Sequence, residues 1–220
     1  MQINIDKKTG VFLIIIAILL VLIGALLVDQ RMRHNGSGES HSKHGGGESH
    51  SMSGDSDMNM GATSSTRASG LQGNDIMFAQ MMIPHHEQAV KMSDFALLTS
   101  TNPEVLTLAK DIRDAQAPEI LQMKGWLEKS NASEDMGHSM GDSMGGMLSE
   151  SELTTLKNAT GKTFDTLFLN GMIAHHEGAI HMTLMIKESS NPEVKTLGEN
   201  IVTSQTAQIT LMKDMLSRIK

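Results

Sequence analysis

The chain has 220 residues, enough for one domain with a real core plus appendages. Its formal net charge is -7; residues 1–73 carry six Lys/Arg and six Asp/Glu, so the acidic excess falls on 74–220, which disfavours nucleic acid and tolerates cations. There is no cysteine, hence no disulfide framework, thiolate metal site or Cys nucleophile.

Methionine reaches 19, against five Phe, one Trp and no Tyr. Ordinary cores use Met sparingly, because its flexible side chain specifies packing poorly. Gap filling accounts for some core positions but not for Met in Gly/Ser-rich segments. With no cysteine, a soft-metal site here has to be built from Met and His.

Residues 1–10 form a short N-terminal segment. Residues 11–28, VFLIIIAILLVLIGALLV, hold no charge. As a helix they span about 27 Å, close to the hydrocarbon thickness of a bilayer. This is the pattern of a single transmembrane helix. A cleaved signal peptide fits less well, since its apolar region is shorter and a small-x-small site should follow. Lys7 and Lys8 precede the span while Arg31 and Arg33 follow it, so flanking charge barely orients it. The His/Met-rich content downstream argues that the remainder lies outside the cytoplasm.

Residues 29–73 read as a flexible Gly/Ser linker that cannot bury enough apolar area to fold. It carries His34, His41, His44 and His50, then Met52, Met58 and Met60. A second tract in the linker 130–148 carries Met136, His138, Met140, Met144 and Met147. Thioether sulfur is a poor ligand for hard ions and a good one for Cu(I) or Ag(I). Low-complexity drift is the bland alternative, but two tracts enriched in the same two ligand types argue against it.

A shift of 90 residues aligns DIMFAQMMIPHHEQAVKM at 75–92 with DTLFLNGMIAHHEGAIHM at 165–182. After a one-residue slip, NPEV at 102–105 meets NPEV at 191–194. Self-similarity of this length points to an internal repeat. In the first unit Phe78, Met82, His85, Ala89, Met92 and Ala96 form one helical face. Asn102-Pro103 and Asn191-Pro192 are helix-start signals, with Asn as cap and Pro in the first turn. Pro84 and Pro118 are expected to kink their helices. Ser149 and Glu152 read as a capping box for a short extra helix ending near Gly161. The expectation is an all-α domain at 74–220: two helix hairpins, 74–129 and 149–220, packed as a four-helix bundle.

His85 and His175 lie in the apolar stripes, one turn from Met82 and Met172, and His86 and His176 border them. In the second unit His181, Met182 and Met185 add potential ligands, where Lys91 replaces the histidine in the first. An antiparallel hairpin brings Gln116 level with His85 and Gln205 level with His175. These amides are therefore expected to hold the imidazoles as outer partners, with Glu87 and Glu177 nearby. A zinc-protease motif fails, because His181 stands five residues after His176 instead of four. A di-iron centre fails too, because neither Glu87 nor Glu177 is followed by His three residues on. A binding protein without turnover is expected. A metal-dependent enzyme, or a structural bundle with core histidines, is the alternative.

Through FAQMMIPHHEQAVKM, NPEV and AQAPEILQMKGWL in the first unit, and LKNATGKTFDTLFLNGMIAHHEGAIHM and NPEVKTLGENIV in the second, the chain resembles the domain-of-unknown-function 305 family. Some of its members are described as CopM-like copper-binding proteins. The resemblance covers about 74–220 and implies a ferritin-like four-helix bundle, usually exported, with Met and His as copper ligands. Carried onto this chain, those positions are Met82, His85, His86, Met172, His175 and His176, with Met92 and Met182 nearby. The expected cargo is Cu(I), with Ag(I) as a second soft ion; the membrane is an expected partner through the helix at 11–28, nucleic acid is not, and the sequence identifies no protein partner.

Overall fold

The computed structural model describes residues 70–135 and 145–219. The apolar span at 11–28, the first linker and most of the mid-chain tract lie outside them. Among the described residues the regular structure is helical: α1 Gly73–Thr99, α2 Pro103–Lys129, α3 Glu150–Asn158, α4 Gly161–Met182, a 3₁₀ turn Thr183–Ile186, and α5 Pro192–Arg218. No helix among these residues is long and apolar enough to cross a membrane.

Local chemistry accounts for the boundaries. Asn102 and Asn191 cap α2 and α5, accepting from Glu104 N at 3.0 Å and Glu193 N at 2.9 Å. Ser149 accepts from Glu152 N, and Glu152 returns to Ser149 N at 2.8 Å, which closes the capping box of α3. α2 ends at Lys129, two residues before Asn131, whose φ of 51° sends the chain left-handed while Ala132 N bonds back to Leu127 O at 2.9 Å. Both Pro84 and Pro118 sit inside continuous helices. Each removes one backbone donor without ending its helix.

α1 and α2 form one hairpin and α4 and α5 the other, and the hairpins meet chiefly through α1 and α4. Each hairpin's turn is fastened to the start of the other's first helix. Ser100, in the first turn, donates to Asp165 Oδ1 at 2.6 Å and accepts from Asn102 N at 3.1 Å. In the second turn Ser190 accepts from Gln72 at 2.8 Å, and Asn191 donates to Gly70 O. These ties run α1 and α4 past each other in opposite directions.

The apolar core falls into two clusters. One gathers Ala89–Ala96 of α1, Val105–Ile112 of α2, Phe164–Met172 of α4 and Ile209–Met215 of α5. The other gathers Phe78–Ile83, Met123–Leu127, Ala179–Met182 and Val194–Ile201 of the same four helices. Apart from Gly178, the buried residues between them along each helix are polar: His85, His86 and Gln88, Gln116, His175 and His176, and Gln205. Thus a polar layer divides the core at mid-height. Removing the Asp165 carboxylate leaves a buried hydroxyl without its acceptor. Asp165→Ala is therefore expected to lower unfolding free energy by about 2 kcal/mol in urea denaturation. An unchanged midpoint would mean the clasp does not hold the hairpins in register.

Candidate metal centre

The four histidines of the polar layer have no solvent exposure. His85 and His175 meet at the centre, ring centroids 3.7 Å apart and planes tilted by 41°. His86 stands 6.4 Å from His85, and His176 6.4 Å from His175. His86 Nε2 donates to Glu119 Oε2 at 2.8 Å, and His176 Nε2 donates to Gln208 Oε1 at 2.7 Å. His85 Nε2 donates to the Gly145 carbonyl at 3.2 Å.

These contacts fix the tautomers. A carboxylate, an amide oxygen and a backbone carbonyl can only accept, so three of the rings carry hydrogen on Nε2, and in a neutral ring that leaves the lone pair on Nδ1. The Nδ1 atoms of His85, His86 and His176, and both nitrogens of His175, are buried without a partner. The Oε1 atoms of Gln116 and Gln205 are likewise unpartnered. Apart from the single N–H of a neutral His175, every one of these atoms offers a lone pair. A buried excess of acceptors suits a cation.

Burial keeps His85, His175 and His176 uncharged. It lowers His85 to about 3, with repulsion from His86 adding to the effect and the Gly145 bond opposing it. It lowers His176 to about 4, against the bond to Gln208, and takes His175 well below 6.5. Neutral imidazole is the form that binds metal. Among the described residues, however, no three His, Asp or Glu side chains are grouped to hold an ion. A site here needs thioether donors or ring rotation. Cu(I), which binds thioether and imidazole and accepts low coordination numbers, fits this donor set better than an ion requiring carboxylates.

Several sequence-level expectations are corrected. Gln116 and Gln205 are buried in the layer, but their Oε1 atoms reach no donor and the imidazoles bond elsewhere. Glu119 and Gln208, one helical turn further on, take that role. Glu87 and Glu177 turn outward, about half exposed, to Lys124 at 3.0 Å and Lys213 at 3.1 Å. They sit one residue past the second histidine, and the 100° rotation per residue carries them to the surface. His181 is exposed, and Met185 packs half-buried on the second cluster. Met82 and Met182 are buried in the second cluster, Met172 and Met92 in the first. Thus Met82 and Met172 flank the layer from opposite ends, while Met92 and Met182 lie beyond it along their helices. Of the mid-chain tract only Met147 is described, half-buried; Met136, His138, Met140 and Met144, like His41, His44 and His50, lie outside the described residues.

A strap not foreseen from the sequence covers this centre. Gly145 and Gly146 lie directly on α4 between Ala174 and Gly178. A Cβ on Gly178 would overlap the Gly145 carbonyl, and one on Gly146, whose φ is 83°, would overlap that of Ala174. Gln88 then clamps Leu148, its Oε1 accepting from Leu148 N at 2.7 Å and its Nε2 donating to Leu148 O at 2.9 Å. Gly178 is the counterpart of Gln88 under the shift of 90, so one hairpin supplies the clamp and the other the clearance.

The geometry describes a helical bundle with a buried acceptor layer, and the chain belongs to the family described as "Domain of unknown function (DUF305)", whose model matches residues 75–216. Among solved structures, a DUF305 protein from Streptomyces coelicolor, provisionally described as secreted, is similar at 33% identity and TM-score 0.62, covering 66% of this chain and 93% of that one. A DUF305 fragment from Deinococcus radiodurans matches at 32% identity and TM-score 0.62, covering 67% and 97%. CopM in its Cu(I)-bound form matches at 32% identity and TM-score 0.57, covering 67% and 98%; CopM structures with Cu(II) and with Ag are also similar. No curated protein matches the chain.

The metal-free protein should be sensitive to acid. The ordinary His value of 6.5 applies to the unfolded chain, while the folded values are depressed. Stability is therefore complete above pH 6.5 and is lost as pH falls from there towards 4, because only the unfolded state takes up protons. At pH 5 each such ring costs about 2 kcal/mol. The urea midpoint should drop steeply between pH 7 and 5; a flat profile would show that the rings are not held neutral. Strap displacement is a separate expectation. Gly178→Val should expose His85 to diethylpyrocarbonate, read by peptide mass spectrometry, where the unaltered chain is protected.

Proposed function

We propose that this chain is a membrane-anchored, extracytoplasmic binding protein for Cu(I), with Ag(I) as an alternative cargo, acting in sequestration, resistance or delivery without catalytic turnover. The observation that carries this reading is the set of buried imidazoles with unpartnered Nδ1 atoms. Met82 and Met172 precede them by one helical turn, and thioether with imidazole is a soft donor set. The Met- and His-rich tracts of the sequence would supply ions to the bundle. CopM, a structural relative at about a third identity, has been solved with Cu(I), Cu(II) and Ag.

Anchoring rests on the charge-free stretch at 11–28, long enough to span a bilayer. The extracytoplasmic placement rests on the open His/Met tracts that follow it. The ferritin-like aspect of the bundle is one of architecture, since the carboxylate-histidine spacing of a di-iron centre is missing. A structural role for the polar layer is the competing reading. It draws on the hydrogen bonds to Glu119 and Gln208, which pin two rings without any metal.

Cu(I) competition against a chromogenic chelator separates the two. The full chain in detergent, with histidines 34, 41, 44, 50 and 138 and methionines 52, 58, 60, 136, 140, 144 and 147 changed to Ser, isolates the bundle. His86→Leu with His176→Leu fills the same space without a lone pair and should weaken Cu(I) binding at least tenfold. Unchanged affinity with helicity retained would assign the layer to structure alone.

A further inference from the structure

The pairs His86–Glu119 and His176–Gln208 occupy equivalent places. The histidines are 90 residues apart and their partners 89, the offsets that also relate Glu87–Lys124 to Glu177–Lys213. The Nε2···Oε distances are 2.8 and 2.7 Å. Each ring stands 6.4 Å from its neighbouring histidine, at 51° and 58°. Both are fully buried, and both leave Nδ1 without a partner. What differs is the acceptor: a carboxylate in the first hairpin, a neutral amide in the second.

We propose that Glu119 and Gln208 are positioning residues that set the charge of two otherwise matched imidazole sites, so that the first hairpin accepts a divalent ion as well as a soft monovalent one and the second only the monovalent ion. This rests on the metal-binding reading above. The rings, thioethers and amides of the layer are neutral ligands. A monovalent ion among them leaves one uncompensated charge in a low-dielectric interior, a divalent ion two. Glu119 has a side-chain exposure of only 13% and lies across a single imidazole from Nδ1, so it cancels one of these charges with little screening. Its bond also raises the basicity of the ring it holds, strengthening Nδ1 as a donor to a harder ion. Gln208 fixes the same tautomer and supplies neither effect. Lys124, the nearby cation of α2, is committed to Glu87 and Glu134 at 3.0 and 3.2 Å. In a purely structural layer the exchange would alter the strength of the Nε2 bond but no ion selectivity, because Glu and Gln have the same shape and both accept the Nε2 hydrogen.

The test uses the full chain with ¹⁵N-labelled histidine, Zn(II) as the divalent probe and Ag(I) as the monovalent one. Both are diamagnetic, so each ring reports separately by NMR, and with the ions in excess over the tract sites the bundle rings are read beside the resonances of the tract histidines. In the unaltered chain Ag(I) should shift the His86 and His176 resonances, and Zn(II) only His86. Glu119→Gln should weaken the Zn(II) response at His86 tenfold or more and keep the Ag(I) response. Gln208→Glu should create a Zn(II) response at His176, a gain that loss of structure cannot mimic. Zn(II) binding unaffected by Glu119→Gln, or equal at both rings beforehand, would overturn the charge assignment while leaving the monovalent site intact. Rings that answer neither ion would overturn the metal-binding reading itself.

Discussion

Holding neutral imidazoles in the middle of a helical bundle is the constraint on which the rest of this structure depends. An unpartnered buried polar atom costs about 1–3 kcal/mol, and the layer contains several such nitrogens and two amide oxygens. The apolar clusters on either side must outweigh that cost. They are built from Phe78, Ile112, Phe164, Phe168, Met123 and Met212, all essentially without exposure. The Asp165–Ser100 clasp and the Asn caps set the levels at which the helices start, and so put four histidines from two helices at one height.

The two hairpins are matched in outline and differ where chemistry is decided. Gln88 becomes Gly178, which turns a clamp into a clearance and seats the strap over one side of the His85–His175 pair. As a result His85 Nε2 has a carbonyl partner while His175 has none. Glu119 becomes Gln208, which exchanges a charged acceptor for a neutral one around the same ring geometry. Lys91 becomes His181, and both are exposed. A centre that began with equal halves is thus unequal in access, in tautomer control and in charge.

Much of this was legible in the sequence because it rests on periodicity and on strong local signals. The stripe through Phe78, Met82 and His85, the Asn-Pro starts and the Ser149–Glu152 box each translate directly into local structure. Level along the antiparallel hairpins was legible to within one turn, which is why Gln116 and Gln205 stood as partners for the histidines. Rotation about the helix axis was not. His86 borders the stripe and so meets the flanking position 119, and the same holds for His176 and 208. Glu87 and Glu177 were misplaced for the same reason. The strap was hidden because Gly145, Gly146 and Gly178 carry no periodic signal; their meaning is a close backbone approach that only packing reveals.

The nature of the unpartnered atoms bears on why such a layer exists at all. Structural polar layers in bundles pair donors with acceptors and leave little over. Here the Nε2 hydrogens of three rings are already committed, and what remains unpartnered in the layer is overwhelmingly lone pairs, on Nδ1 and on the amide oxygens. Protein donors could saturate them, but none reaches these atoms. A cation satisfies several lone pairs at once and, by binding only the folded state, returns the free energy spent in burying them. The same depressed basicity that makes the metal-free layer costly in acid keeps the rings free of competing protons at neutral pH. On the metal-binding reading, the atoms that destabilise the metal-free bundle and the atoms that would bind the ion are therefore the same set.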